Sequence, residues 1–185
     1  AGTHASYFLR DDGCVDRTKG SGKITETMCP PEGTRYVSIS AGEFASYLVR
    51  SDGVVDRTKG YGKVDSHIVP PVTSANGTVK YISVSEMFAV TTQHSQYAHK
   101  DSPGQMYLVR DDGAVDRTIR YGTIDTTMNP PPGVKYISAS SGLHASYLVQ
   151  SDGQISRTTG GGKVGRIMIP KTSDEAKREG GCIIM

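Results

Sequence analysis

The chain repeats one pattern four times, and this internal repetition constrains its fold more than any single motif. Each copy holds an aromatic and aliphatic segment, a turn that ends in Asp-Gly, and a triplet that ends in Arg-Thr. Four tyrosines at successive separations of 40, 60 and 40 residues mark equivalent positions: Tyr7, Tyr47, Tyr107 and Tyr147. Self-similarity of this kind indicates an array of one supersecondary unit. Structure and function are therefore interpreted repeat by repeat.

The repeats divide the chain into four units and a tail. We place the units at about 1–33, 34–78, 79–133 and 134–170, and we predict a flexible tail at 171–185 in which 173–179 has a helix-forming composition. The third unit carries about 20 extra residues, assigned to an insertion at 86–105. Long departures from a fixed repeat are often binding loops, so we expect the insertion to form the partner-specific surface.

Composition excludes several classes of protein. The chain has 21 basic and 19 acidic residues with interspersed signs, so charge gives no support for nucleic-acid binding. No apolar run approaches the roughly 20 residues that a membrane-spanning helix needs. The three cysteines, Cys14, Cys29 and Cys182, have unrelated spacings and no Cys-x-x-Cys pair. This pattern argues against a disulfide scaffold or a zinc site and favours a reducing, cytoplasmic compartment.

Three β-strands are predicted in each unit. The first covers 36–40, 81–85 and 136–140, and its alternation places Val37 and Ile39 on one face. The second covers 45–50, with apolar residues on both faces, so both faces should be covered by neighbours. An Asp-Gly hairpin turn leads to the third strand at 54–58, and a proline-rich link leads to the next unit.

Short antiparallel meanders of about 40 residues are typical of propeller blades. We therefore predict an all-β fold, a β-propeller-like array of four antiparallel repeats, with a β-solenoid as the alternative. The first unit lacks its opening strand. For this reason a homo-oligomer, or blades outside the chain, is expected to complete a ring.

The segment 134–155 reads Val-Lys-Tyr-Ile-Ser-Ala-Ser-Ser-Gly-Leu-His-Ala-Ser-Tyr-Leu-Val-Gln-Ser-Asp-Gly-Gln-Ile and resembles the repeat of the regulator of chromosome condensation family. His4 and His144 match the histidine of that repeat, and Phe44 replaces it in the second unit. The resemblance covers most of residues 1–170 but departs where the family has Trp-Gly after the turn, because this chain has Arg-Thr. The resemblance implies a propeller that binds a protein partner, and a small GTPase is one candidate for that partner.

The Arg-Thr triplet is the strongest internal candidate for a binding site. A guanidinium beside a carboxylate on equivalent strands could bind one anion or carbohydrate hydroxyl per repeat, as repeat lectins do. The alternative is that the arginine and aspartate pair between neighbouring blades and hold the array together. The residues concerned are Asp16, Arg17, Asp56, Arg57, Asp116, Arg117 and Arg157.

Other groups of residues give weaker indications of function. His94 and His99 lie in the insertion and are expected to be solvated there, and no catalytic set of side chains repeats. We therefore predict no enzyme, no metal and no cofactor. The last four residues, from Cys182 to Met185, look like a CaaX box of the kind that accepts a farnesyl group.

Together these patterns predict a non-enzymatic binding module. The leading interpretation is a cytoplasmic protein-interaction propeller, associated with membranes if Cys182 is prenylated. The second is a lectin-like or anion-binding propeller with one site per repeat. A per-repeat ligand would bind in several equivalents, whereas a partner on the single insertion would bind once.

Overall fold

The computed structural model describes residues 5–19, 22–42, 45–59, 62–73, 77–86, 105–119, 122–142, 145–159 and 162–170. Within these residues the chain forms β-strands and no helix. No helix able to cross a bilayer occurs in this part of the chain. The strands are β1 (Ala5–Leu9), β2 (Val15–Lys19), β3 (Ile24–Met28), β4 (Tyr36–Ala41), β5 (Ala45–Arg50), β6 (Val55–Lys59), β7 (Val64–Ile68), β8 (Val72–Thr73), β9 (Gly77–Thr78), β10 (Tyr81–Glu86), β11 (Met106–Arg110), β12 (Val115–Ile119), β13 (Thr123–Met128), β14 (Tyr136–Ser140), β15 (Ser146–Gln150), β16 (Ile155–Thr158) and β17 (Val164–Met168).

The strands form four antiparallel sheets, one per repeat, which we call blades. Blade 1 is β1-β2-β3, blade 2 is β4-β5-β6-β7, blade 3 is β10-β11-β12-β13 and blade 4 is β14-β15-β16-β17. The short β8-β9 ribbon lies in the link between blades 2 and 3. Each blade is an up-and-down meander whose strands pair in chain order. The predicted all-β, propeller-like array of antiparallel repeats is therefore confirmed, rather than the alternative solenoid.

The full blades have four strands rather than the three predicted. The additional fourth strand follows a turn that ends in a positive-φ glycine, at β7, β13 and β17, and its counterpart in blade 1 is β3. Most of its side chains are exposed, for example in β7, so its sequence lacks the apolar alternation that marks a half-buried strand. Blade 1 has three strands within the described residues, as expected from its missing opening strand.

The Asp-Gly turns adopt the predicted hairpin geometry. Their glycines have φ between +83° and +95°, the left-handed region that other residues rarely adopt. In three of the turns the next blade also packs closely against the glycine. A Cβ atom on Gly53 would lie 2.6 Å from Cβ of Lys80, at the start of blade 3. Glycine is required there both by the backbone and by the adjacent blade.

Each blade has two different faces, and unlike faces pack together. The arginine face is the side of each sheet that carries the pairs Tyr7/Arg17, Tyr47/Arg57, Tyr107/Arg117 and Tyr147/Arg157. The aspartate face carries Phe8/Asp16, Leu48/Asp56, Leu108/Asp116 and Leu148/Ser156. The three core clusters each join the arginine face of one blade to the aspartate face of the next. The core therefore lies between blades, which confirms that the second strand is covered on both faces.

One disulfide corrects the sequence-based argument against such a bond. Cys14 and Cys29 are bonded, with their Cα atoms 4.4 Å apart. The register of blade 1 explains the pairing, since Val15 and Met28 face each other and the two cysteines lie one position beyond them. The other blades lack cysteine at the matching positions, so only blade 1 has a disulfide linking the ends of its last two strands, β2 and β3, within the described residues. Disulfides are typical of oxidising compartments, which removes the cysteine argument for a reducing one.

Candidate functional site

The repeated aspartates lie inside their own blades. Asp56 and Asp116 are 2% and 0% exposed. The Tyr36 hydroxyl donates to Oδ2 of Asp56 at 2.8 Å, and the Tyr81 hydroxyl donates to Oδ2 of Asp116 at 2.9 Å. Because of burial and the adjacent carboxylate, the pKa of each of these tyrosines is raised, so both hydroxyls remain donors.

The other carboxylate oxygen is bound from the second and fourth strands. Oδ1 of Asp116 accepts from Thr127 at 2.7 Å, and Nη1 of Arg110 lies 3.5 Å away. In blade 2 the same oxygen of Asp56 faces Nδ1 of His67 at 2.7 Å and Nη1 of Arg50 at 3.6 Å. Both aspartates are thus fully engaged within the protein. Asp16 has the matching Thr27 and Arg10, at 2.7 Å and 3.6 Å.

Blade 4 replaces both members of this ion pair at once. Gln150 occupies the position of Arg110, and Ser156 occupies the position of Asp116. The amide nitrogen Nε2 of Gln150 donates to Oγ of Ser156 at 2.8 Å, in a buried neutral bond. A charged pair and a neutral pair therefore serve the same place in the fold. A buried hydrogen-bonded link is what this position requires, because polar groups there are cut off from water.

The repeated arginines lie on the opposite face and also bind within their own blades. Nη1 of Arg57 is 2.9 Å from Oδ2 of Asp65, and Nη1 of Arg117 is 2.5 Å from Oδ2 of Asp125. In blade 1, where threonine replaces that aspartate, Arg17 donates to the hydroxyls of Tyr7 at 3.3 Å and Thr25 at 3.4 Å. Arg157 differs, because Gly165 stands at the position of the acidic partner. Its guanidinium makes no hydrogen bond or ion pair within the described part of the chain.

The Asp-Arg triplets therefore do not form one composite site. Adjacent residues on a strand point to opposite faces, so the aspartate and arginine of a triplet face different blade junctions. The aspartate pairs with the arginine six residues earlier, and the arginine pairs with the aspartate eight residues later, both in the same blade. In blades 2 and 3 these ion pairs lie within one blade, whereas the alternative expected pairing between neighbouring blades. A ligand at these positions would have to displace such contacts inside a blade junction.

A buried carboxyl group lies where the insertion begins. Glu86 ends β10, and its backbone N–H donates to Oγ of Ser40 in the first strand of blade 2 at 2.9 Å. Burial raises the pKa of Glu86 to about 8, although Arg57 acts in the opposite direction. A Cβ atom on Gly42 would lie 1.9 Å from Oε2 of Glu86, so a larger residue there would displace the carboxyl group. This contact anchors the start of the insertion on blade 2.

A row of exposed apolar residues runs along the first strands, and the sequence pattern did not reveal it. Val37, Ile82 and Ile137 are equivalent residues and are 48%, 43% and 51% exposed. Each lies at a β-bulge, since the register shifts between its two neighbours in all three blades. Bulges re-aim side chains. Val37 therefore leaves the face of Ile39, which packs into the core, contrary to the simple alternation predicted.

A basic residue precedes each of these positions by two. Arg35, Lys80 and Lys135 are exposed, and none of them forms an ion pair with a carboxylate in the described residues. The intervening tyrosines are buried and hold the strand in place. We call these three basic–apolar pairs the bulge row. Aligning the repeats matches these residues at separations of 45 and 55 residues, but their exposure follows from the bulges.

The bulge row lies on strands that contact one another, unlike a second set of exposed apolar residues. The first strand of blade 3, β10, contacts both β4 and β14. A hydrogen bond of 3.0 Å from the N–H of Ser141 to Oγ of Ser85 joins two of these strands. The second set begins the fourth strands, which are not in extensive contact with one another. It comprises Ile24, Val64, Ile124 and Val164, which are 55%, 40%, 38% and 42% exposed.

Several residues singled out by sequence lie outside the described part of the chain. These are His4, Phe44, His94, His99, His144 and Cys182, together with the insertion apart from Glu86 and Gln105 and the whole tail 171–185. Within the described ranges, no group of three or more His, Cys, Asp or Glu side chains is placed to hold a metal ion.

Comparison with known proteins supports the fold. No protein-family model and no curated protein matches the chain. Virginiamycin B lyase from Staphylococcus aureus aligns with a TM-score of 0.61 at 15% identity, covering 91% of this chain and 56% of the lyase chain. BBS1N in complex with ARL6DN aligns with a TM-score of 0.61 at 11% identity, covering 90% and 53%. The WD40 repeats of RRP9 align with a TM-score of 0.58 at 8% identity, covering 83% and 44%.

The chain spans about half the length of the solved structures that it matches. Identities this low indicate a shared arrangement of blades and carry no activity from one protein to another. The chain is therefore an all-β, propeller-like array, and its function has to be argued from its own surface.

Proposed function

We propose that the chain is a non-enzymatic protein-interaction module that binds its partner through the bulge row. The observation that carries this proposal is the presence of three equivalent, half-exposed apolar residues on adjacent strands, Val37, Ile82 and Ile137. Contiguous exposed apolar surface is a common mark of a protein-binding site. Its repetition at bulges places one apolar contact in each full blade.

The chemistry of the row defines the partner class. Apolar side chains at the bulges would contact apolar side chains of the partner, while Arg35, Lys80 and Lys135 favour carboxylates beside them. The best match is a partner segment in which apolar and acidic residues alternate. The chromosome-condensation resemblance suggests a small GTPase as the protein that carries such a segment. The insertion 86–105 begins at the far end of β10 and stays a prediction for a second, partner-specific contact.

A peptide selection tests this proposal. Random peptides displayed on phage are selected on the immobilised protein, and the enriched peptides are measured against two triple variants. Val37→Ser/Ile82→Ser/Ile137→Ser should weaken binding at least about tenfold, because it removes the apolar contacts. The matched control Ile24→Ser/Val64→Ser/Ile124→Ser removes equally exposed residues from the other set and should bind as the wild type does. Loss in the control with retention in the bulge-row variant would contradict the proposal.

Membrane tethering through Cys182 is a separate proposal that rests on the C-terminal sequence alone. A farnesyl group there would give weak membrane affinity and requires exposure to cytoplasmic enzymes. The Cys14–Cys29 disulfide is instead typical of an oxidising compartment. The intact mass of protein from its own cells separates the two. A prenyl adduct with loss of the last three residues would support tethering, and an intact C-terminus would contradict it.

The lectin-like alternative requires a ligand at each repeated arginine. Arg17 and Arg117 are 5% and 7% exposed in blade junctions. Arg157 lies on the outer side of blade 4 and is the residue of this set whose guanidinium makes no bond with the described residues. An anionic ligand would thus be expected at Arg157 with one equivalent per chain, rather than several.

A further inference from the structure

The two end faces of the array are exposed versions of faces that pack together elsewhere in it. Within the array, each arginine face is covered by the aspartate face of the following blade. Blade 1 presents an aspartate face and blade 4 presents an arginine face, and neither is covered by a described blade. The protein therefore carries both halves of one more junction of the same kind.

Exposure of equivalent residues identifies the two halves. On the aspartate faces, Leu48, Leu108 and Leu148 are 0% exposed, whereas the equivalent Phe8 in blade 1 is 57% exposed. On the arginine faces, Tyr47 and Tyr107 are 0% and 4% exposed, whereas Tyr147 in blade 4 is 40% exposed. Phe8 is thus an apolar side chain that no arginine face covers. Tyr147 lies on the arginine face of blade 4 with Val149, Ile155 and Met168, and no aspartate face covers this surface.

The contacts of the turn glycines also indicate that one junction is missing, independently of the apolar residues. A Cβ atom on Gly62 would lie 3.2 Å from Cδ of Arg17 in the preceding blade, and one on Gly162 would lie 3.2 Å from Cδ of Arg117. Gly22, the equivalent turn residue of blade 1, has no such atom within 4 Å. Arg157, the equivalent arginine of blade 4, lacks a partner among the described residues. Gly22 and Arg157 are therefore complementary by the contact made between blades 1 and 2 and between blades 3 and 4, whereas Gly122 in blade 3 lies against Ile68 of blade 2.

We propose that two copies of the chain associate head to tail, the arginine face of blade 4 in one copy covering the aspartate face of blade 1 in the other. Contacts of this type use different surfaces on the two partners, and they form a closed ring when the rotation per copy fits. A second copy is the occupant that fits both faces, because its blade 1 carries the exposed Phe8 and its blade 4 the exposed Tyr147.

Sedimentation velocity across a range of protein concentrations tests the pairing. The wild type should sediment with twice the mass of one chain. Phe8→Glu and Tyr147→Glu should each weaken association at least about tenfold, since each buries a charge in an apolar junction. Ile124→Glu adds the same charge to an exposed apolar residue of blade 3, away from both end faces, and should leave the mass unchanged. Circular dichroism and thermal unfolding verify that each variant is folded.

Mixing the two variants distinguishes head-to-tail pairing from a contact between like faces. Phe8→Glu retains an intact blade 4 face, and Tyr147→Glu retains an intact blade 1 face, so a mixture contains one native junction. The mixture should regain association that neither variant shows alone. A wild-type monomer at all concentrations, assemblies larger than two copies, a dimer that neither variant weakens, or a mixture without recovery would each overturn the proposal.

Discussion

Asp116 is a fully buried carboxylate, and its partners decide what a substitution at that position costs. Tyr81 and Thr127 donate to it, and Arg110 lies within ion-pair distance. Removing one partner of a buried pair leaves the other without compensation. Blade 4 already contains a neutral solution, Gln150 with Ser156, and this provides an internal reference for the charged pair.

We expect Arg110→Gln and Asp116→Ser each to destabilise the protein, Asp116→Ser by about 3 kcal/mol. The double variant reproduces the Gln150–Ser156 pair and should lose less than the sum of the single changes, with a coupling energy of about 1–3 kcal/mol. Urea unfolding of the four proteins in this cycle measures that coupling. Additive losses would mean that the two side chains do not act as one unit.

The directions and partners of single side chains could not be predicted from the sequence. The triplet places Asp116 beside Arg117, and this proximity suggested a shared site, yet strand geometry sends the two side chains to opposite faces. The disulfide was missed for a related reason. The separation of 15 residues between Cys14 and Cys29 identifies no pairing, whereas the register of β2 and β3 places them opposite each other.

The Asp-Gly turn connects neighbouring blades as well as forming a hairpin. Tyr36, Tyr81 and Tyr136 donate their backbone N–H groups to the carbonyl groups of Gly13, Gly53 and Gly113, at 2.9, 3.2 and 3.0 Å. Each turn is thereby tied to the first strand of the following blade. This connection explains why the turn sequence repeats so closely. The sequence predicted the hairpin turn but not its contact with the following blade.

Gly53 and Gly153 allow the two roles of this turn to be separated. Both have φ near +90°, so alanine at either position should cost about 1–2 kcal/mol in backbone strain. At Gly53 the new Cβ would also lie 2.7 Å from Cα of Lys80, whereas Gly153 has no atom within 4 Å. Gly53→Ala should therefore be less stable than Gly153→Ala by roughly 1–3 kcal/mol. Equal losses by urea unfolding would remove the joint between blades from the account.

Strands were predicted correctly where apolar residues mark their buried faces, and they were missed where most side chains are exposed. The second strand, with Leu48 and Val49 both 0% exposed, carries a strong apolar signal. The fourth strand lies at the outer edge of its blade with mostly exposed side chains, and its sequence resembles a link. The bulges at Val37, Ile82 and Ile137 could not be predicted from alternation, since a bulge is the point at which alternation fails.

The repeated sequence predicted the architecture, because each unit supplies two unlike faces and these faces pack against each other between blades. The same property leaves one face of each kind exposed at the ends of the array and an apolar row along its first strands. The sequence indicated a binding module but directed attention to the arginines and the insertion. The surface that best supports partner binding comes instead from local backbone geometry.

Amide hydrogen exchange of the wild-type protein, with and without a selected peptide, locates the binding surface. If the bulge row is the binding surface, the peptide should slow exchange in the segments 35–38, 80–83 and 135–138, which contain the bulges and the basic residues before them. The fourth strands should exchange as in the free protein. Protection confined to the insertion 86–105, or to the exposed faces of blades 1 and 4, would contradict this account.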